Sequence, residues 1–161
     1  MNYSNVNTFD DLEVGDAFET PGITIAESHL LGFAGLTGDF MPHHVDESFS
    51  KGMGFSGRIA HGLLVLSLVD GLKNRSAVQF DVVAALGWSD WRFLKPAYIG
   101  DRIAAHIEIG AKRETRSGTR GVVTLRIQVK NQDGVVIQEG ENQLMLQRRA
   151  ALQDTAQVAL S

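Results

Sequence analysis

The stretch HGLLVLSLVDGL, residues 61–72, decides how this chain folds. Its apolar side chains lie on nearly every side of a helix and leave almost no polar face. A helix of that composition is buried, so another layer of the protein has to cover it. The second half of the chain has the pattern of strands, and we expect those strands to form the covering sheet.

Two segments downstream alternate between apolar and polar residues, as half-buried antiparallel strands do. They span residues 103–109 and 123–129, with the polar turn sequence KRETRSGTRG between them. The pair Asp133-Gly134 is a strong tight-turn signal before a last strand over residues 135–146. These three strands form a predicted antiparallel meander.

Further elements precede the meander. The apolar and aromatic run 82–94 predicts a strand that Pro96 closes, and residues 17–25 predict an edge strand. Apolar residues at helical spacing predict a helix over 27–37, which Gly38 ends. Together these patterns predict an α+β fold, in which a curved antiparallel sheet wraps around one long buried helix.

The length of the chain sets its domain organisation. The 161 residues, of which 43% are hydrophobic, suffice for one domain with its own core. We place that domain at residues 1–149. The last segment, 150–161, is rich in Ala and Gln, and we expect a short helix or a flexible tail there.

Composition argues against several classes of function. The formal net charge is −4, which gives no support for binding to nucleic acid or to an anionic membrane surface. The chain has no cysteine, so disulfides, thiolate nucleophiles and thiolate metal sites are excluded. The longest apolar stretch, 62–69, is far shorter than the ~20 residues of a membrane span. The amino terminus is polar and acidic, unlike a secretory or transit peptide, and we expect a cytoplasmic protein.

Reactive side chains are concentrated in FAGLTGDFMPHHVDESF, residues 33–49, and in FSGRIAHGLL, residues 55–64. A carboxylate and an imidazole on either side of a proline-stiffened turn can hold one water, and one of them can remove its proton. Spacing alone equally allows a structural role, in which Asp39 caps the following turn and His44 is a hydrogen-bonded core histidine. The candidate residues in these stretches are Asp39, His43, His44, Asp46 and His61.

These candidates lie in an irregular segment of the chain. Between Gly38 and Ile59 the sequence contains Pro42 and several glycines, and only a short helix starting at Asp46 is predicted within it. Connections of that length in a compact domain usually carry function.

Other types of site fit the sequence less well. Adjacent histidines rarely face one ion and no HxxxH spacing is present, so we predict no metal site. The glycines of residues 52–57 formally match GxGxxG, but no predicted strand precedes them and no βαβ unit surrounds them. Ser56 lacks the GxSxG sequence of a serine hydrolase.

The segment TGDFMPHHVD, residues 37–46, resembles the hydratase motif of the MaoC-like dehydratase and (R)-specific enoyl-CoA hydratase family. The usual form of that motif is Ser/Thr-Gly-Asp-x-Asn-Pro-Leu/Ile-His-x-Asp. GRIAHGLL, residues 57–64, is similar to the family's second conserved block, and WRFLKP, residues 91–96, to its central-strand block. The resemblance runs from about Phe9 to Leu146. The residues that match the first motif are Thr37, Gly38, Asp39, Pro42, His44 and Asp46.

This resemblance implies a hot-dog fold, a homodimer or higher homo-oligomer, and reversible hydration of a trans-2-enoyl-CoA to the (R)-3-hydroxyacyl-CoA. Carried over, Asp39 and His44 hold and activate the water, and Gly62 offers its backbone N–H to the thioester oxygen. A helix N-terminus presents unpaired N–H groups, and glycine lets a substrate approach them closely. The partner is then an acyl-CoA substrate, and neither a cofactor nor a metal is required because the thioester activates its own β-carbon.

The chain departs from the family's motif at two positions. Met41 stands where Asn is usual, which removes an amide beside the catalytic pair. His43 stands where Leu or Ile is usual, and in an extended backbone its side chain would point away from that of His44. We therefore expect the rate or the choice of substrate to differ from the family's pattern.

Two alternative functions remain open. A hot-dog acyl-CoA thioesterase would direct water at the thioester carbonyl instead of the β-carbon and would release free CoA. A non-catalytic acyl-CoA-binding subunit would keep the fold without the chemistry. Loss of the conjugated double bond of an enoyl-CoA distinguishes hydration from both alternatives.

Overall fold

The computed structural model describes residues 1–3 and 6–149. The described residues form helices α1 (Glu27–Thr37), α2 (Pro42–Val45), α3 (Glu47–Gly52) and α4 (Gly62–Lys73). They also form strands β1 (Val6–Asn7), β2 (Ala17–Glu19), β3 (Ile23–Thr24), β4 (Gln79–Phe80), β5 (Val82–Phe93), β6 (Arg102–Glu114), β7 (Arg120–Lys130) and β8 (Val136–Gln147). The segment predicted as a tail, 150–161, lies outside the described residues, and the domain boundary at 149 stays a prediction.

The main sheet is antiparallel and has the strand order β2-β6-β7-β8-β5. Strands β6, β7 and β8 are consecutive neighbours, so the predicted meander is confirmed. Strand β5 precedes them in the chain but pairs with β8, which places β5 at one edge of the sheet. The opposite edge is formed by β2 and β3, which both pair with β6.

One face of the sheet supplies most of the core. The apolar residues that alternate along β6 and β7 are buried, whereas their polar neighbours face outward. Burying an aliphatic side chain of this size contributes about 1.5–3 kcal/mol each, so this face is the main source of stability. The buried residues are Ile103, Ala105, Ile107 and Ile109 on β6, and Val123, Leu125, Ile127 and Val129 on β7.

Helix α4 packs against the core face of the sheet. Its residues Leu64, Val65 and Val69 belong to the same hydrophobic cluster as the buried residues of β6 and β7. The helix is not buried on every side: Leu63, on the side away from the sheet, is 58% exposed. The sheet curves around one side of the helix only. This arrangement confirms the predicted α+β architecture and the hot-dog fold.

The segment before α4 is more regular than the sequence indicated. Helix α1 has the predicted bounds, and Gly38 ends it in the left-handed conformation with φ 79°, donating its N–H to Ala34. The predicted short helix is α3, whose N-cap Asp46 accepts a hydrogen bond from the N–H of Phe49 at 2.9 Å. Helix α2 was not predicted; Pro42 occupies its first turn, where a missing N–H costs nothing.

The first edge of the sheet also differs from expectation. A continuous strand over 17–25 is wrong, because Pro21 and Gly22 separate β2 from β3. A short parallel pair, β1 with β4, was not predicted from the sequence. Among the described residues, no helix is long and apolar enough to cross a membrane.

Candidate active site

His44 is buried and rigidly held. It lies on α2, is 6% exposed, and its Nδ1 is 2.7 Å from the carbonyl oxygen of Ile59. A carbonyl oxygen can only accept, so Nδ1 carries the proton and donates it. In the uncharged ring, Nε2 therefore keeps its lone pair. This is the tautomer that a general base requires at Nε2.

The surroundings of His44 favour the uncharged ring. Burial is the largest cause, and it lowers the pKa of His44 below its ordinary value. The hydrogen bond to Ile59 opposes this change, the neighbouring His61 and His43 lower the pKa further, and Asp39 raises it. The net direction is downward, so His44 is an available proton acceptor at neutral pH.

Asp39 lies directly after the end of α1 and is half-buried. Its Oδ1 accepts the backbone N–H of Met41 at 3.3 Å, which fixes the turn into α2. A carboxylate oxygen of Asp39 and ring nitrogens of His44 and His61 all lie within 4.8 Å of one another. The structure thus brings together the two side chains that the motif singled out, and the turn-capping role of Asp39 coexists with this arrangement.

His61 joins the pair from the other side. Its ring stacks on that of His44 with centroids 3.7 Å apart, and its Nε2 donates to the backbone carbonyl of Asp39 at 2.9 Å. Nδ1 of His61 is buried and has no hydrogen-bond partner among the described residues. A buried acceptor without a donor costs about 1–3 kcal/mol. Sequence analysis placed His61 in the reactive cluster but gave it no role.

His43 does not point away from His44, as an extended backbone would require. Helix α2 includes both residues, and the two rings meet edge to face with their Nε2 atoms 3.0 Å apart. The chain is helical at that point, so the condition under which His43 would point away from His44 is not met. Its imidazole is a direct hydrogen-bond partner of the candidate base.

A pocket of about 370 Å³ opens beside these histidines. His43 and His44 form one wall, and the first residue of α4, Gly62, forms another. The Phe93 ring lies against Gly62 so closely that a Cβ there would be 2.5 Å from it. The remaining walls are mainly apolar and include Phe55, Ile59, Val65, Leu94 and Ala97.

A larger cavity of about 420 Å³ lies on the outer face of the sheet. Its walls are charged side chains of β6, β7 and β8, including Glu108, Arg126 and Glu139. None of the candidate residues borders it. We therefore assign the chemistry to the smaller pocket, which His43, His44 and Gly62 border.

Gln138 was missed by sequence analysis. This β8 residue is 3% exposed and borders the pocket. Its Nε2 donates to the carbonyl of Gly62 at 3.0 Å, and its Oε1 accepts from Nε1 of Trp91 at 3.0 Å. The start of α4 is thus tied to two strands. A lone Gln in an alternating strand gives no sign of such a role, since its partner is distant in sequence.

The cluster of Asp39, His44 and His61 is the place where a cation would find ligands. Zinc requires donor atoms at about 2.0–2.2 Å in a tetrahedral arrangement. Both ring nitrogens of His44 already take part in hydrogen bonds, one with Ile59 and one with His43. A bound ion would have to break one of these two hydrogen bonds.

Comparisons with known proteins identify relatives of this chain. The (R)-specific enoyl-CoA hydratase of Aeromonas caviae is 32% identical over 114 residues, 71% of this chain and 81% of that protein. Protein MaoC of Klebsiella aerogenes is 32% identical over 107 residues, 66% of this chain, and the chain spans 31% of its length. The X-ray structure of the monoamine oxidase regulatory protein from Archaeoglobus fulgius has a TM-score of 0.83 and 34% identity, covering 92% of this chain and 99% of that one.

The family model described as MaoC like domain matches residues 10–131. The matched range contains Asp39, His44 and Gly62, helices α1 to α4 and strands β2 to β7. The predicted resemblance is confirmed, and the chain belongs to the MaoC-like domain family.

Proposed function

We propose that this protein is a hydro-lyase that reversibly adds water to a trans-2-enoyl-CoA and forms the (R)-3-hydroxyacyl-CoA. The observation that carries the proposal is the pairing of the Asp39 carboxylate with a buried, uncharged His44 within 4.8 Å. A water that hydrogen-bonds to both groups at about 2.8 Å each spans roughly 4.5 Å. The relative from Aeromonas caviae carries the name of this activity.

The Asp39 and His44 pair holds the attacking water in this proposal. Nε2 of His44 takes the water proton as hydroxide adds to the β-carbon, and the carboxylate of Asp39 orients the water. His44 then returns this proton from Nε2 to the α-carbon of the enolate, so the ring is uncharged again and no net proton is gained or lost. Because the same group removes the proton from water and returns it to the α-carbon, water and proton reach the same face of the substrate.

Gly62 supplies the electrostatic part of the reaction. Negative charge develops on the thioester oxygen, and the N-terminus of α4 presents backbone N–H groups with the positive end of the helix dipole. The hydrogen bond from Gln138 holds this end of the helix in place. Apolar pocket walls suit an acyl chain, and the thioester supplies its own activation, so the proposal needs no cofactor and no metal.

The test is an assay of purified protein on a panel of trans-2-enoyl-CoAs, following loss of the conjugated double bond. Asp39→Asn and His44→Ala are each expected to lower turnover by roughly 10²–10⁴-fold, as removal of paired acid–base groups does. His106→Ala is the matched control, since this histidine pairs with Glu19 on the outer face of the sheet. Near-normal turnover in both site variants would contradict the proposed site.

The product distinguishes the proposal from its alternatives. Coupling to dehydrogenases specific for one enantiomer is expected to detect the (R) product, with no effect of chelators. An (S) product would mean that the water lies on the other face of the substrate. Release of free CoA would support a thioesterase, and binding without turnover would support an acyl-CoA-binding subunit.

A further inference from the structure

The hydrogen bond between His43 and His44 has a defined direction. Nδ1 of His44 donates to Ile59, so Nε2 of the uncharged ring can only accept. The 3.0 Å contact between the two Nε2 atoms therefore has His43 as its donor. A Leu or Ile at position 43, usual in the family's motif, has no group that can donate.

On the basis of the proposed function, we propose that His43 is a positioning residue for His44. In the substrate-free enzyme its Nε2–H occupies the lone pair of the base, and it yields this place to the attacking water when substrate binds. The two donors compete because Nε2 of His44 has a single lone pair. His43 is half-buried at the pocket wall, so its ring borders the space that the substrate enters.

The first consequence concerns the protonation of His44. A hydrogen bond donated to Nε2 stabilises the uncharged ring, because a protonated Nε2 cannot accept it. The other groups around His44 are Asp39 before α2, His61 before α4 and Lys95 in the pocket wall after β5. Asp39 favours the charged ring, and His61 opposes it. Without the His43 donor, less stabilises the uncharged ring against the effect of Asp39. The pKa of His44 is therefore expected to rise.

The second consequence is a split between two kinetic parameters. The pH dependence of kcat/KM reports groups in the free enzyme, whereas that of kcat reports groups in the substrate complex. Because His43 is displaced in the complex, its loss affects the free enzyme alone. A purely structural role would lower both parameters by the same factor at every pH.

The experiment compares His43→Leu with His43→Gln. Leu restores the usual residue of the motif without a donor, and Gln places an amide N–H near the position of Nε2. In His43→Leu the acid limb of the pH profile of kcat/KM is expected to shift to higher pH by half to one unit. This shift lowers kcat/KM roughly three- to tenfold at low pH. The acid limb of kcat stays in place, and His43→Gln keeps both limbs of the wild type.

Two results would overturn the proposal. One is an unchanged kcat/KM profile in His43→Leu; the other is an equal shift in the Leu and Gln variants, which would exclude the donor as the cause. Both are distinct from failure of the proposed function, in which the wild type itself would not hydrate any enoyl-CoA.

Nitrogen NMR of the histidine side chains gives a readout that needs neither turnover nor a variant. The chain has five histidines, so their imidazole signals can be assigned. Substrate-free wild type is expected to show the Nδ1–H tautomer for His44 and the Nε2–H tautomer for His43. The opposite tautomer in either ring would overturn the proposal even if one of the variants failed to fold.

Discussion

Gly62 shows how one missing side chain shapes the site. A Cβ at this position would come within 2.5 Å of the Phe93 ring, which forms part of the pocket wall. The backbone N–H that we propose for the thioester oxygen would survive a change to Ala. Changing Gly62 to Ala therefore tests the close contact with the Phe93 ring while the backbone N–H donor is kept.

We expect Gly62→Ala to fold normally but to lose at least tenfold in kcat/KM, because the Phe93 ring must shift within the pocket. Ala in a helix is favoured over Gly by about 1 kcal/mol, and this gain opposes the cost of moving the Phe93 ring, so the free energy of unfolding should change little. The matched control is Gly71→Ala in the same helix, where a Cβ would meet nothing within 4 Å. Equal activity of the two variants would contradict a role for the contact between Gly62 and Phe93.

Single residues also mark the limit of what the sequence could predict. Asp39 and His44 were singled out because the segment 37–46 resembles the family's hydratase motif, since their spacing across Pro42 alone left a structural role equally open. Gln138 could not be identified, because its partner Gly62 is 76 positions away and only strand pairing brings them together. The contact between His43 and His44 could not be predicted, because the motif does not reveal that the backbone of α2 is helical.

At the level of elements, Asn142 joins helix α4 to two strands. This fully buried β8 residue accepts a hydrogen bond from Nζ of Lys73 at 2.8 Å and donates to the carbonyl of Gly87 at 3.0 Å. Nζ of Lys73 also pairs with Asp70 at 2.8 Å. The buried ammonium is thus held between a half-exposed carboxylate and a buried amide.

We expect Asn142→Leu to lower the free energy of unfolding by about 2–3 kcal/mol, since Lys73 and the carbonyl of Gly87 both lose a buried partner. Chemical denaturation followed by circular dichroism measures this change. Gln143→Leu is the control, because the neighbouring side chain faces the other side of the strand. If the two variants were equally stable, the network around Asn142 would contribute nothing beyond packing.

Elements were predictable where periodicity was strong. The alternation of apolar and polar residues along β6 and β7 correctly predicted which side chains are buried. A sheet that is covered on one face buries every second residue of a strand. The weak elements were not predictable: β1 and β4 have two residues each, too few for a period. The burial of α4 on one side only depends on the curvature of the sheet, which the helix sequence does not contain.

At the level of the whole molecule, β5 leaves one edge of the sheet open within the described residues. It is a 12-residue strand whose pairing partner is β8 alone, and its outer backbone groups face away from the sheet. Apolar side chains on this strand are exposed, among them Val82, Leu86 and Phe93. A long, exposed apolar edge strand can pair with another strand. In a symmetric dimer, a second copy of the chain supplies that strand and pairs the free backbone groups.

We therefore expect a homodimer in which β5 pairs with β5 of a second copy. Light scattering at micromolar concentration should give twice the mass of the chain, and Leu86→Lys should shift the protein toward the monomer because it places a charge in the apolar edge. Leu36→Lys is the control, since this residue is 84% exposed and lies on helix α1, outside strand β5. Activity should fall together with dimer content in Leu86→Lys, because Phe93 ends β5 and contacts Gly62. A stable wild-type monomer would contradict this assembly, and a monomeric variant with full activity would show that the pocket is complete in a single chain.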